Sequence, residues 1–160
     1  MVDITSATDA SSTVVQPHTR NRTAELKRLM AERILVLDGA YGTALQGYQL
    51  DESAYRGDRF AEHDLPLKGN HDVLCMTKPE VVQEVHAKYL AAGADIICTN
   101  SFNATWVAQT DFGLQEHCFE LNEASARIAR ELADQYHSES KPRFVAGSIG
   151  PTNRTASLSP

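Results

Sequence analysis

The chain has 160 residues, of which 42% are hydrophobic and 22% charged, enough for one ordinary domain with a real core and no dependence on disulfides. Fifteen Lys and Arg against twenty-one Asp and Glu give a formal charge of −6. With no basic block or basic helix face, nucleic acid is excluded as a partner. No apolar run approaches the roughly 20 residues that span a bilayer, which excludes a membrane helix. Cys75, Cys98 and Cys118 fit no CxxC pairing, and the N-terminus lacks the basic-then-apolar order of a signal peptide, so the expected location is the cytoplasm.

Residues 1–19 are rich in Ser and Thr and too poor in apolar residues to offset chain entropy, and they read as a disordered tail ahead of one domain over 20–160. Leu26, Leu29 and Met30 then fall at helical spacing among Glu, Lys and Arg, which predicts an amphipathic helix over Thr23 to Arg33. "ILVL", residues 34–37, is a continuous aliphatic run of strand length, the pattern of a parallel strand buried on both faces. Between Tyr48 and Asn70 charges accumulate without periodicity, which predicts a long loop excursion. A short strand is expected around Asp72 to Cys75.

The next unit has the clearest punctuation. Thr77 and Glu80 have the spacing of a capping box, Pro79 suits a first turn, and Val81, Val82, Val85, Tyr89 and Leu90 trace a helical face down to Gly93. "ADIICTN" follows as a strand, then a helix from about Leu114 to Tyr136 with Leu114, Cys118, Leu121, Ile128 and Leu132 on its buried stripe. "RFVAGS" reads as a last strand. The alternation predicts α/β architecture around about four parallel strands with intervening helices.

In such folds the loops at the C-terminal strand ends converge on one face, where ligands bind. Three polar clusters have that address: Asp38-Gly39, Thr99 to Asn103, and Ser148 to Thr152. Asp38 ends a hydrophobic strand, where an unpaired carboxylate is costly and wants a cation such as a ligand ammonium group; it can equally cap the following helix. Thr99 and its neighbours offer hydroxyl and amide groups for a carboxylate, or ordinary turn chemistry. "GAYGT" lacks the Lys and spacing of a phosphate loop. The six histidines form no HxH or HExxH arrangement, so no metal site is expected, and only His71, beside Asp72, is kept as a candidate for the site face. Cys98 reads as a packed thiol rather than a ligand or nucleophile.

Taken together, "ILVLDGAYGTALQGYQLDESAYRGDRF", "LKGNHDVLCMTKPEVVQEVHAKYLAAGADIICTNSFNATWVAQTDFG" and "PRFVAGSIGPTNRTASLSP" closely resemble the N-terminal module of the cobalamin-dependent methionine synthase family, over about residues 25–160. The resemblance implies the N-terminal half of a (β/α)8 TIM barrel that binds homocysteine and, in the full-length enzyme, passes it a methyl group from methylcobalamin charged by methyltetrahydrofolate. It implies that zinc activates the substrate thiol there, and that the chain works with the remaining half-barrel and the folate and cobalamin modules. By position it places Asp38 and Gly39 at the homocysteine amino end and Thr99 at its amino-acid portion, with Ser101 and Asn103 lining the same pocket. The family's three zinc-binding cysteines fall beyond Pro160, so no metal ligand and no catalytic residue is expected among these 160 residues. The isolated chain is expected to be inactive.

The pattern also has departures. The family's opening motif reads Asp-Gly-Gly-Met-Gly-Thr where this chain has Ala40 and Tyr41; Cys98 stands where an acidic residue is usual, and His71 where a second Asn is common. Ala40 would cost stability if its φ is positive. Two rivals accompany this reading: a non-enzymatic half-barrel that self-associates or needs a complementary chain, and a cobalamin-independent homocysteine methyltransferase using betaine or S-methylmethionine.

Overall fold

The computed structural model describes residues 22–152 and 154; the expected tail over 1–19 lies outside them. The chain divides into two compact units between Ile34 and Leu35. In the first, helix α1 (Thr23–Glu32) forms as its periodicity predicts. Arg22 pairs with Glu25 at 2.7 Å, and Arg28 holds both oxygens of Glu32, one turn later, at 2.7 Å. Leu29 is buried, whereas Met30 is exposed.

The second unit opens on Leu35 to Asp38, which runs parallel to strand β1 (Ile96–Cys98), itself paired in parallel with β2 (Phe144–Ala146) in the register Ile96↔Phe144, Ile97↔Val145, Cys98↔Ala146. Two of the four expected strands therefore form. The 35–38 segment makes one bridge, Leu37↔Ile96, although Asp95 N and Ile96 N both donate to Val36 O and Asp38 N donates to Ile96 O. Val36 N–H instead donates to the Asp95 carboxylate at 2.9 Å, which takes the place of a ladder carbonyl. Burial on both faces, expected for this segment, is not found: Val36 and Leu37 are each more than half exposed. An aliphatic run records that a face is apolar, and what covers it is settled by distant segments.

Helix α2 (Tyr41–Gln46) follows, then α3 (Glu52–Arg56) inside the stretch expected to be an irregular excursion. That stretch is folded. Asp51 caps α3 by accepting from Ala54 N at 2.9 Å; Glu52 accepts from Leu67 N, Lys68 N and Arg56, and Arg56 donates to the carbonyls of His63 and Leu65. One ion pair thus clamps both ends of a fifteen-residue loop, and Tyr55, Phe60 and Leu67 enter the core.

The strand expected at Asp72 to Cys75 is helical instead. A 3-10 turn (His71–Val73) leads into helix α4 (Leu74–Thr77). A four-residue apolar run suits a buried helix as well as a strand, and Val73, Leu74 and Cys75 are enclosed on all sides. Helix α5 (Pro79–Ala92) has the predicted proline first turn and ends at Gly93, whose φ of 114° only glycine adopts freely. The capping box does not form, because Lys78 occupies the cap and Thr77 Oγ1 donates to Val73 O.

Helix α6 (Trp106–Gln109) and two 3-10 turns (Thr110–Phe112, Gln115–His117) then lead into helix α7 (Cys118–Gln135), which starts four residues later than predicted. Val82, Val85 and Leu90 of α5 join Leu121, Ile128 and Leu132 of α7 and Ile97 of β1 in one core. His86 lies wholly inside it against the Tyr41 ring, with neither ring nitrogen partnered, and burial pushes its pKa down to about 4. Arg143 is also buried, donating to carbonyls at the ends of both helices, Leu90 O and Tyr136 O, and to Ala94 O. Among the described residues no helix is long and apolar enough to cross a membrane.

Candidate functional site

A cleft of about 360 Å³ opens at the C-terminal ends of the parallel segments. Tyr41 and Gly42 at the start of α2, and His71 and Asp72 of the 3-10 turn, form one side. Cys98 to Asn100, Phe102 and Asn103 after β1, and Ser148 after β2, form the other.

The loop after β1 is held from beneath by buried amides. Asn70 and Gln109 exchange two hydrogen bonds, at 2.8 and 3.2 Å, and Gln109 Nε2 also donates to Asn103 O. Asn100 Nδ2 donates to His71 O at 2.8 Å, tying the loop to the 3-10 turn.

The sequence-predicted residues divide. Thr99 and Asn103 line the cleft. Ser101 lies buried behind it, donating to Ser148 O at 3.0 Å. That bond uses the Ser101 proton, so the 2.7 Å contact between Thr99 Oγ1 and Ser101 Oγ is donated by Thr99, whose oxygen accepts in turn from Ser148 N at 2.8 Å. Thr99 thereby latches the loops after β1 and β2 together and has only acceptor capacity left for a ligand. Asp38 and Gly39 are not in the cleft wall. The Asp38 carboxylate stands behind Cys98, accepting its backbone N–H at 2.8 Å, and burial raises its pKa against that bond.

The carboxylate that does reach the cleft is Asp72. It is almost fully buried, and desolvation pushes its pKa up to about 6 although Asn103 N donates to Oδ1 at 3.0 Å. No Lys or Arg lines the cleft, so a ligand cation would supply the missing countercharge. The sequence signal was there: a carboxylate set directly before the apolar run "VLCM". Tyr41 was missed as well; its hydroxyl donates to Val82 O at 3.0 Å, and burial raises its pKa, keeping it neutral.

Two of the thiols are held in the protonated form. Burial pushes Cys98 up to about 11, with Asp38 beside it adding to the effect, and burial pushes Cys75 to about 11 too. Among the described residues no three His, Cys, Asp or Glu side chains converge to hold a metal, so these residues do not fit a zinc site. A second groove, of about 410 Å³, lies along α4, α5 and α7 away from the strand ends; its Arg59 and Glu120 are already paired with each other, and it reads as a solvated helix surface.

Two substitutions test this geometry. Ala40 has φ 44° and ψ 35°, the left-handed region that costs an L-residue about 1–2 kcal/mol. Ala40→Gly is therefore expected to stabilise the protein by about 0.5 kcal/mol, after glycine's greater unfolded-state entropy is subtracted, measured by urea denaturation. For Asp72 the folded pKa lies above the ordinary 3.8, so the folded state binds the extra proton between about pH 4 and pH 6, and stability falls as pH rises through that window. Asp72→Asn removes this loss. Its expected gain is about 3 kcal/mol at pH 8, shrinking to nothing below pH 4; a gain that is larger in acid than in base would contradict the desolvation account.

Two parallel strands, a third parallel segment and helices between them, with a cleft at the strand ends, define an α/β protein built on a small parallel sheet. The comparisons make this specific. The profile of the homocysteine S-methyltransferase family matches residues 35–160. The crystal structure of the homocysteine methyltransferase MmuM from Escherichia coli in its oxidised form is similar at 28% identity and a TM-score of 0.61, over 79% of this chain and 40% of that one. Its metallated form is similar at 27% identity and a TM-score of 0.58, over 79% and 41%. The chain belongs to the homocysteine S-methyltransferase family and has the fold of a TIM-barrel fragment. It spans about two fifths of the length of these relatives.

Proposed function

We propose that the cleft binds homocysteine as the methyl acceptor of a methionine synthase. The observation that carries the reading is the buried Asp72 carboxylate, short of countercharge, at the strand ends of a homocysteine S-methyltransferase family chain. The substrate ammonium group is set against Asp72, with Asp38 behind Cys98 adding negative potential from the opposite wall. Thr99 Oγ1 accepts from the ammonium group, Asn103 closes the cleft, Ser101 ties the loop after β1 to Ser148 O, and Gly39 follows Asp38 outside the cleft wall. These residues bind and orient; none moves a proton on the thiol.

Zinc, which would lower the pKa of the substrate thiol from its ordinary 8.5 or so, belongs in this reading to residues outside the 160. The resemblance through "RGDRF" and "GPTNRTASLSP" supports methylcobalamin as donor, with the folate and cobalamin modules as partners. The likeness to the homocysteine methyltransferase MmuM fits this reading and its rival, a cobalamin-independent methyltransferase, equally.

The test is titration of the 160-residue protein with homocysteine, followed by NMR. Binding with a Kd of about 1 mM is expected from half a pocket, about −4 kcal/mol, and weaker binding in Asp72→Asn despite its greater stability. Equal binding by both proteins would remove Asp72 from the site. Methionine formation by the isolated chain with stoichiometric zinc would overturn the expectation of inactivity, and dependence of that reaction on methylcobalamin or on S-methylmethionine would decide the donor.

A further inference from the structure

Once the internal hydrogen bonds are assigned, few side-chain donors remain to receive the opposite end of an amino acid. Thr99 has given its proton to Ser101, and Asn100 Nδ2 is occupied by His71 O and by Cys75 Sγ at 3.5 Å. His71 differs. Its Nδ1 lies 2.8 Å from Tyr55 Oη, and no described residue is hydrogen-bonded to Nε2.

The direction of the Tyr55 contact follows from what else surrounds the phenol. Tyr55 is buried, and among the described residues its hydroxyl is hydrogen-bonded to His71 alone. If Nδ1 carried a proton toward it, the Tyr55 hydroxyl proton would lie buried without an acceptor, at a cost of about 1–3 kcal/mol. Tyr55 therefore donates to Nδ1. A neutral imidazole that accepts at Nδ1 carries its proton at Nε2, and burial lowers the pKa of His71, favouring the neutral form. His71 Cδ2, the atom next to Nε2, lies 3.8 Å from a Cβ built on Gly42, and both residues line the cleft; His71 also borders a neighbouring groove with Tyr55 and Lys68.

We infer that His71, its tautomer fixed by Tyr55, presents an Nε2–H donor that binds the carboxylate of the amino-acid substrate, and so selects an amino acid over a simple aminothiol. His71 is a binding residue and Tyr55 a positioning residue. The inference rests on the homocysteine reading above and adds the group that recognises the substrate's anionic end. With Asp72 the adjacent residue, one 3-10 turn supplies an acceptor for the ammonium group and a donor for the carboxylate. Asparagine can mimic Nδ1 of histidine, whereas glutamine reaches as far as Nε2.

The experiment uses the 160-residue protein with 15N-labelled histidine, titrated with homocysteine and with 3-aminopropane-1-thiol, which lacks only the carboxylate. Long-range 1H–15N spectra of the free protein are expected to show the Nε2–H tautomer of His71. Its Nε2 signal should move with homocysteine and stay in place with the aminothiol. His71→Phe is expected to weaken homocysteine about tenfold and leave the aminothiol unchanged, His71→Gln to recover most of that loss, and Tyr55→Phe to mix the tautomers. An Nδ1–H tautomer in the free protein, an Nε2 signal of the unaltered protein that homocysteine does not move, or homocysteine binding in folded His71→Phe equal to that of the unaltered protein would overturn the inference while the substrate reading stands. Failure of the unaltered protein to bind homocysteine at all would overturn the substrate reading, and this inference with it.

Discussion

Replacement of Arg143 by leucine is expected to lower the unfolding free energy by about 3–5 kcal/mol. The guanidinium is buried directly before β2 and donates to Ala94 O, to Leu90 O at 3.3 Å and to Tyr136 O at 3.4 Å. Leu90 lies in the last turn of α5 and Tyr136 is the C-terminal cap of α7, so one cation serves the negative ends of two helices. Leucine fills part of the volume and leaves these carbonyls desolvated without donors. Arg143→Lys keeps the charge but cannot fork to three oxygens, and an intermediate loss of about 2 kcal/mol is expected. Urea denaturation with both variants checks the ordering. Equal stability of Arg143→Leu and the unaltered protein would mean that water replaces the lost bonds.

The second large effect is on the cleft. Gly150 N donates to Phe102 O at 3.0 Å, which brings the loop after β2 against the loop after β1. A Cβ at Gly150 would lie 2.4 Å from that same carbonyl oxygen and 2.8 Å from two atoms of the Phe102 ring. Backbone cannot yield as a flexible side chain can, so Gly150→Ala has to separate the loops. A stability loss of about 2 kcal/mol is expected, and homocysteine affinity should fall more than tenfold as the Phe102 wall of the cleft moves. Gly147→Ala is the control, since nothing lies within 4 Å of its Cβ position. If Gly150→Ala binds homocysteine as tightly as the control, the Phe102 wall has no part in the site.

Helices α5 and α7 and strands β1 and β2 were legible in the sequence because each carries its own evidence: an apolar stripe at helical spacing, a proline first turn, a glycine stop, or an aliphatic run between turn residues. The location of a site at the strand ends was legible for the same reason, since parallel alternation fixes which loops share a face. What the local pattern cannot contain is the identity of a partner far along the chain. The run at 72–75 satisfies helix and strand alike, and its enclosure decided for helix. The 35–38 segment is aliphatic, yet Val36 N–H goes to a side chain 59 residues away and half of its apolar surface is uncovered. The stretch from Tyr48 to Asn70 lacks periodicity because Glu52 and Arg56 order it through scattered backbone groups, which leave no trace in spacing.

The cleft divides along the same line. Composition, punctuation and motif by themselves determined the family resemblance, the strand-end address, and the attention to Thr99 and Asn103, which line the cleft. Only the tertiary structure decided that Asp38 stands behind Cys98, that Thr99 spends its proton on Ser101, and that Asp72 and His71 line the cleft. The physical reason is that a side chain's chemistry depends on which of its donors and acceptors are already satisfied and how far it is desolvated. Both are set by residues that meet only when the chain has folded.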